Sequence, residues 1–432
     1  MFVSDCLDIN NKGHLTIGGV DTTEIAEEYG TPVIVYDENS IRNNCRAFVG
    51  SIDKYYGGNG RVLYANKAFS CLEMCRICND EKMGLDVVSG GEIYTALKAG
   101  FPAEKLYFHG NNKSYQELEY ALTKGVGRIV VDNPEELGNI SEIAKKLGVT
   151  ANIYMRIKPG IDAHTHDFIK TGQIDCKFGF ALETGEAMEN VKKAIEAENV
   201  HLVGLHCHIG SQIFDVDPFV LAAEVMMNFI IDIKNETGAV ISELDLGGGF
   251  GIMYTEKDKP VAFDKYMKPV SETVKRIAAE NAIPVPFILI EPGRSIAGAE
   301  AVTLYTVGSV KKIPDVRTYV SVDGGMTDNP RYILYQAEYT AVCANKADKP
   351  RDTEVTIAGK CCESGDLIQE NTMIQNVEKG DILAVLTTGA YNYSMASNYN
   401  RVPRPEVLMV KDGRVRTIIR RETYEDIVKN DV

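Results

Sequence analysis

Lys67 stands at the end of an apolar run, directly after Tyr64-Ala65-Asn66. Other apolar runs lead into equally reactive types. Asp86 and Ser89 lie in and after one, His109 ends another, and Arg156 lies on a third. His206 and His208 close the next and are followed by Gly210-Ser211. Gly247-Gly248-Gly249-Phe250-Gly251 and Glu291-Pro292-Gly293-Arg294 follow the last two. Three glycines in a row after a strand expose backbone N–H groups and let a phosphate come close. The order does not fit a dinucleotide fingerprint, because GxGxxG fails on Gly247-Gly248-Gly249-Phe250-Gly251-Ile252. Each residue also has a plain reading. Lys67 could be a solvated charge, the glycines a tight turn, His208 a hydrogen-bonded core histidine and Glu291 half of an ion pair.

Taken together they suit a ring cofactor that carries a phosphate. A lysine beside a phosphate site can form a Schiff base with a carbonyl. Glu291 could pair with a pyridine nitrogen and keep the ring an electron sink, while the His208 imidazole could stack on the ring.

Such residues need elements that bring them to one place. Eight strand-like runs, 62–66, 85–88, 106–109, 129–132, 153–157, 203–208, 244–246 and 288–291, are apolar nearly throughout. That pattern suits parallel strands covered on both faces. Helical stretches such as 114–124, 134–147, 217–235 and 263–281 fill most gaps. Eight βα units read as a TIM barrel, whose working residues sit at the C-terminal ends of the strands; a doubly wound open sheet is the runner-up. After Ile296 the pattern turns to short strands, 302–310, 318–322, 339–344, 354–358 and 382–386, which predicts a mainly β second domain. At the start, a strand-like 13–20 segment, a short helix capped by Asp21 and ended by Gly30, and a buried run at 32–37 are expected to join that domain. The expected division is therefore 1–35 with the β domain, 36–296 as the barrel and 297–432 as the β domain.

The 432 residues carry a net charge of −15, which argues against a nucleic-acid surface. No apolar run is long enough to span a membrane, and Met1-Phe2-Val3-Ser4-Asp5 lacks the form of a signal peptide. A cytoplasmic protein with reduced cysteines is expected, with no nucleic-acid or membrane partner.

The same residues carry a family resemblance. Tyr64-Ala65-Asn66-Lys67, then Gly84-Leu85-Asp86-Val87-Val88-Ser89-Gly90-Gly91-Glu92, His206-Cys207-His208-Ile209-Gly210-Ser211-Gln212, the triple glycine and Glu291-Pro292-Gly293-Arg294 together resemble the fold-type III pyridoxal 5'-phosphate decarboxylases. Phe108-His109-Gly110-Asn111-Asn112-Lys113, Cys362-Glu363-Ser364-Gly365-Asp366 and Gly389-Ala390-Tyr391 with the following Ser394 to Asn400 segment narrow it to the diaminopimelate decarboxylase family. The resemblance implies conversion of meso-2,6-diaminopimelate to L-lysine and CO2 by a homodimer with active sites at the subunit interface. It implies that Lys67 carries the cofactor and His208 stacks on it. Ser211, Gly247, Gly248 and Gly249 hold the phosphate, with Gly293 beside them, and Glu291 faces the ring nitrogen. By the same resemblance Arg294, Arg331, Tyr335 and Tyr391 grip substrate or cofactor, Cys362 donates a proton, and Glu363 takes the distal ammonium. Two departures stand out. Asn392 replaces the family's glycine, and Gly359-Lys360-Cys361-Cys362 places a second thiol beside Cys362.

Other readings compete. Cys71, Cys75 and Cys78 have the C-x3-C-x2-C spacing of radical SAM iron–sulfur motifs. Positions i, i+4 and i+7 also share one helix face, where free cysteines pack as small hydrophobes, so no metal is expected there. A non-catalytic carrier of the same cofactor would share Lys67 and the glycine loop but not the β domain. Carboxynorspermidine, ornithine or arginine decarboxylases are the nearest rivals in chemistry.

Overall fold

The computed structural model describes residues 2–161 and 176–432. The chain divides into two compact units. One comprises Asn44–Gly251 and Pro260–Gly293, the other Met1–Asn43, Ile252–Lys259 and Arg294–Val432.

The first unit is a closed parallel barrel. Its strands are Gly60–Ala65, Gly84–Val87, Leu106–Phe108, Arg128–Val131, Ala151–Lys158, Val200–Cys207, Glu243–Asp245 and Phe287–Ile290. Each pairs with the next in parallel, and Phe287–Ile290 pairs back onto Gly60–Ala65. These are the eight predicted runs, with ends shifted by up to three residues, and closure excludes the open sheet. The barrel-strand residues Leu63, Tyr107, Val130, Tyr154, Val203 and Leu289 form one buried cluster, as expected of a barrel filled by side chains.

Local signals set the connecting helices. Ser114 and Glu117 form a reciprocal capping box for Tyr115–Lys124, and left-handed Gly125 ends that helix. Pro134–Leu147 begins with Asn133 accepting a hydrogen bond from the Glu136 amide and ends at left-handed Gly148.

The second unit is mainly β. Its sheet runs Leu367–Ile374, Thr353–Ala358, Arg317–Val322, Ala301–Ile313, Val33–Asp37, Glu406–Lys411, Arg414–Ile419. The early strand Val33–Asp37 lies between Ala301–Ile313 and Glu406–Lys411. Ile382–Leu386 pairs with Ala301–Ile313 and carries Ala341–Cys343 on its other side. Two apolar clusters pack this unit, one around Leu15, Val35, Leu304 and Leu408, the other around Tyr254, Tyr305, Ile357 and Val385. No helix among the described residues is long and apolar enough to cross a membrane.

Candidate active site

Lys67 lies in the single 3-10 turn Asn66–Ala68, immediately after the strand Gly60–Ala65. Its side chain is exposed while Asn66 and Ala68 are buried. Gly293 makes the neighbouring backbone approach possible. A Cβ there would lie 2.9 Å from the Ala65 Cβ and 3.0 Å from the Ala65 carbonyl oxygen. The Lys67 ammonium is among the charges acting on Asp86 and His208.

At the same ends of the barrel strands lies a buried polar cluster. Glu291, the first residue after Phe287–Ile290, places Oε1 2.8 Å from His109 Nε2 and Oε2 3.3 Å from His206 Nε2. The two imidazoles meet edge to face at 4.8 Å. All three side chains are buried, as are Asp86 and Asp245. Burial pulls His206 down to about 4, so it is neutral near pH 7. Burial pushes Asp245 well above the usual carboxylate range, and the facing Glu291 pushes it further. Burial acts on Glu291 the same way, but the His109 and His206 imidazoles outweigh it and hold the carboxyl well below its ordinary value. Two adjacent buried carboxyls cannot both ionise cheaply, so Glu291 is the anion and Asp245 the neutral acid.

The glycine run folds over this cluster. A Cβ on Gly247 would lie 2.5 Å from the Cys207 carbonyl oxygen, and Cβ atoms on Gly248 and Gly249 would collide with the carbonyls of Glu291 and Gly210. Gly247 and Gly249 also have φ of 68° and 108°, the left-handed region open to glycine. The Gly248 amide donates to His208 Nδ1 at 3.2 Å. Burial lowers the His208 pKa well below its ordinary value, which leaves the ring neutral and able to accept that bond. Ser211 is half-buried in the turn beside it.

The other unit gathers a second set. Arg294 Nη1 and Arg331 Nη1 both donate to the Tyr254 hydroxyl, at 2.5 and 2.9 Å. Burial opposes ionisation of Tyr254, but the two guanidiniums pull its pKa below the ordinary value. The Tyr391 ring lies 4.8 Å from the Arg294 guanidinium carbon and 5.4 Å from that of Arg331. Tyr391 has φ 73°, a strained conformation for a bulky residue. Arg331 also donates to Tyr339, whose hydroxyl donates to Asn392 Oδ1 at 3.3 Å. The asparagine at the family's glycine position thus extends this network. Tyr335 is exposed, with the Arg331 guanidinium 5.8 Å from its ring. Cys362 and Glu363 are exposed on the turn after Thr353–Ala358, whereas Cys361 is buried and burial pushes its thiol up to about 11.

Two donor sets could be asked to hold a group. His109, His206 and Glu291 bring ligand atoms within 4.8 Å of one another, enough in number for a divalent cation. Lys67 and a glycine cradle have no place in such a site, but both suit a phosphorylated aldehyde. Cys71, Cys75 and Cys78 do not form a comparable group among the described residues. Cys71 caps the helix Leu72–Asp80, and all three thiols are buried.

The model of the pyridoxal binding domain of pyridoxal-dependent decarboxylases matches residues 38–298. Diaminopimelate decarboxylase of Bacillus subtilis is 49% identical over 432 residues, covering 100% of this chain and 98% of that protein. The chain belongs to the diaminopimelate decarboxylase family. The Staphylococcus aureus diaminopimelate decarboxylase is 43% identical, covering 98% of each chain. The crystal structure of diaminopimelate decarboxylase from M. jannaschii in complex with L-lysine matches with a TM-score of 0.91 at 35% identity, covering 100% of this chain and 99% of that one. The Helicobacter pylori diaminopimelate decarboxylase complexed with L-lysine gives 0.86 at 31% identity, over 94% and 98%.

The family's pyridoxal cofactor fits the residues present. Asp86 Oδ1, His206 Nδ1 and Glu291 Oε1 are buried without a hydrogen-bond partner. The contact of Glu291 Oε1 with His109 is close but misaligned, so this oxygen keeps its accepting capacity for a ring N–H.

Proposed function

We propose that the protein decarboxylates meso-2,6-diaminopimelate to L-lysine and CO2, with pyridoxal 5'-phosphate carried on Lys67. One observation carries this reading: Lys67, the glycine run and an ionised, buried Glu291 share one barrel mouth. The same mouth belongs to a chain 49% identical over 432 residues to a diaminopimelate decarboxylase. Bound pyridoxal phosphate supplies a sink for the electron pair left behind by CO2. When the cofactor is bound, the Glu291 carboxylate would hold a proton at its ring nitrogen, and neutral His208 would pack against its ring. Gly247, Gly248, Gly249, Ser211 and Gly293 receive the phosphate.

The substrate has two amino-acid heads, and the residues answer both. Arg294 and Arg331 offer guanidinium forks for carboxylates, with Tyr335 and Tyr391 beside them. Glu363 answers the distal ammonium. Ornithine and arginine carry a distal cation for Glu363 but no distal carboxylate, so a buried guanidinium of Arg294 or Arg331 goes unmatched, at a cost of roughly 2–5 kcal/mol, which disfavours them. Cys362 returns a proton to the carbon that lost CO2; its exposure favours it over buried Cys361. Cys362 and Glu363 act in the site of a second copy of the chain, so the working form is a homodimer. All ten cysteines are free thiols, which supports a reducing, cytoplasmic setting.

Borohydride reduction of the pyridoxal-phosphate-loaded protein, followed by peptide mass measurement, tests the attachment. The phosphopyridoxyl mass is expected on the peptide containing Lys67. The same mass on another lysine would overturn the assignment.

A further inference from the structure

We propose that Asp366 and Asn400 are positioning residues that fix the Cys362–Glu363 turn for proton return. The inference rests on the reading of Cys362 as the proton donor.

Surface loops usually leave amides to water, but here every amide from Gly359 to Glu363 has a protein acceptor. Gly359 N donates to the Asp366 carbonyl at 2.8 Å, and Lys360 N to the Gly324 carbonyl at 2.9 Å. Cys361 N donates to Asp366 Oδ2 and Cys362 N to Asn400 Oδ1, both at 2.7 Å. Glu363 N closes the turn onto the Cys361 carbonyl at 2.8 Å, and Asp366 N reaches the Glu363 carbonyl at 3.1 Å. The other Asp366 oxygen, Oδ1, accepts from Met326 N at 2.6 Å. Asp366 is buried, and its carboxylate is wrapped by two glycines. A Cβ on Gly325 would lie 2.5 Å from Asp366 Oδ1, and one on Gly359 would collide with the same carboxylate. Two independent acceptors therefore pin the consecutive amides of Cys361 and Cys362, while the Cys362 and Glu363 side chains stay exposed.

An exposed thiol on an immobilised backbone is prepared for a target that is not its own surroundings. During turnover the Cys362 Sγ proton moves to the decarboxylated carbon, and the thiolate recovers a proton from water. With cofactor bound, a misplaced thiol would let the substrate nitrogen stay with the cofactor, and one water would release the carbon skeleton as 2-amino-6-oxohexanoate in place of lysine. Lysine formed per CO2 released therefore reports thiol placement, which a merely structural residue would not alter.

The test compares pyridoxal-phosphate-loaded Asn400→Gly, Gly359→Ala, Asp366→Asn and Cys362→Ser enzymes with the parent. Asn400 is exposed with φ 51°, so glycine removes the acceptor without strain. Asn400→Gly and Gly359→Ala are expected to lower kcat on the order of tenfold and to drop the lysine-to-CO2 ratio below one. Asp366→Asn keeps one of the two carboxylate acceptors and should fall less far. If Asn400→Gly and Gly359→Ala keep the parent kcat and ratio while Cys362→Ser loses both, the positioning inference is overturned and the role of Cys362 stands. If Cys362→Ser itself keeps one lysine per CO2, the donor reading and the inference fall together.

Discussion

Glu291 owes its charge to its company. The adjacent Asp245 carboxyl is pushed up by burial and by Glu291, and His109 stands 2.8 Å from Oε1. Glu291→Gln removes the anion while keeping the shape. It should lower kcat on the order of 10²-fold or more, and steady-state assays of loaded enzyme would reveal it. Lys67→Ala should abolish both the Schiff-base absorbance and turnover; retained absorbance would move the attachment elsewhere. At this scale the sequence was legible where a reactive residue ends a strand, as with Lys67, His208, the glycines and Glu291. His109, Asp86 and His206 could be seen as strand-end polar residues, but their convergence on Glu291 needs barrel closure. Tyr254 was invisible as a partner of Arg294 and Arg331. It lies in Ile252–Lys259, which interrupts the barrel sequence but belongs to the other unit.

At the scale of elements, Lys113 shows how a loop is locked to the barrel. Its Nζ donates to the carbonyls of Gly110 and Val130 at 2.7 and 2.6 Å and also reaches Glu136, which in turn accepts from the Asp132 amide. Burial pushes Lys113 down and Glu136 up, and their pairing opposes both shifts. Lys113→Met leaves Glu136 uncompensated and should destabilise the fold by about 3–5 kcal/mol, whereas Lys113→Met with Glu136→Leu should cost less. Denaturant unfolding of both variants checks this; equal losses would contradict the account. The barrel strands were legible because they are apolar on both faces. The strand Leu367–Ile374 was missed because the polar run Gln369-Glu370-Asn371-Thr372 breaks its apolar pattern. The hairpin Glu406–Lys411 with Arg414–Ile419 was missed too. Its signal is Asp412-Gly413, with φ 50° and 73°, a two-residue turn between opposed strands.

For the whole molecule, acid should act in two windows. His206 has a folded pKa of about 4, below the ordinary 6.5, so the unfolded chain binds more protons and stability falls as pH drops from 6.5 toward 4. Burial raises Glu38, but Lys411, Arg42 and Arg416 outweigh it and hold the carboxyl at about 2 against an ordinary 4.5. Its contribution is full above pH 4.5 and is lost as pH falls toward 2. Melting of Glu38→Gln beside the parent should show a gap that is constant from pH 5 to 8 and shrinks below about 4.5. A gap independent of pH would contradict the assignment. The proposed dimer adds a further expectation. Mixed refolding of inactive Lys67→Ala and Cys362→Ala chains should restore about a quarter of the parent activity, because hybrid dimers regain one intact site. No recovery would argue that each chain supplies its own thiol.

The most direct measurement is CO2 release from meso-diaminopimelate by the purified, pyridoxal-phosphate-loaded protein, run beside L-lysine, L-ornithine and L-arginine. The account predicts release from diaminopimelate alone, with one L-lysine formed per CO2. Release from another amino acid and not from diaminopimelate would contradict it.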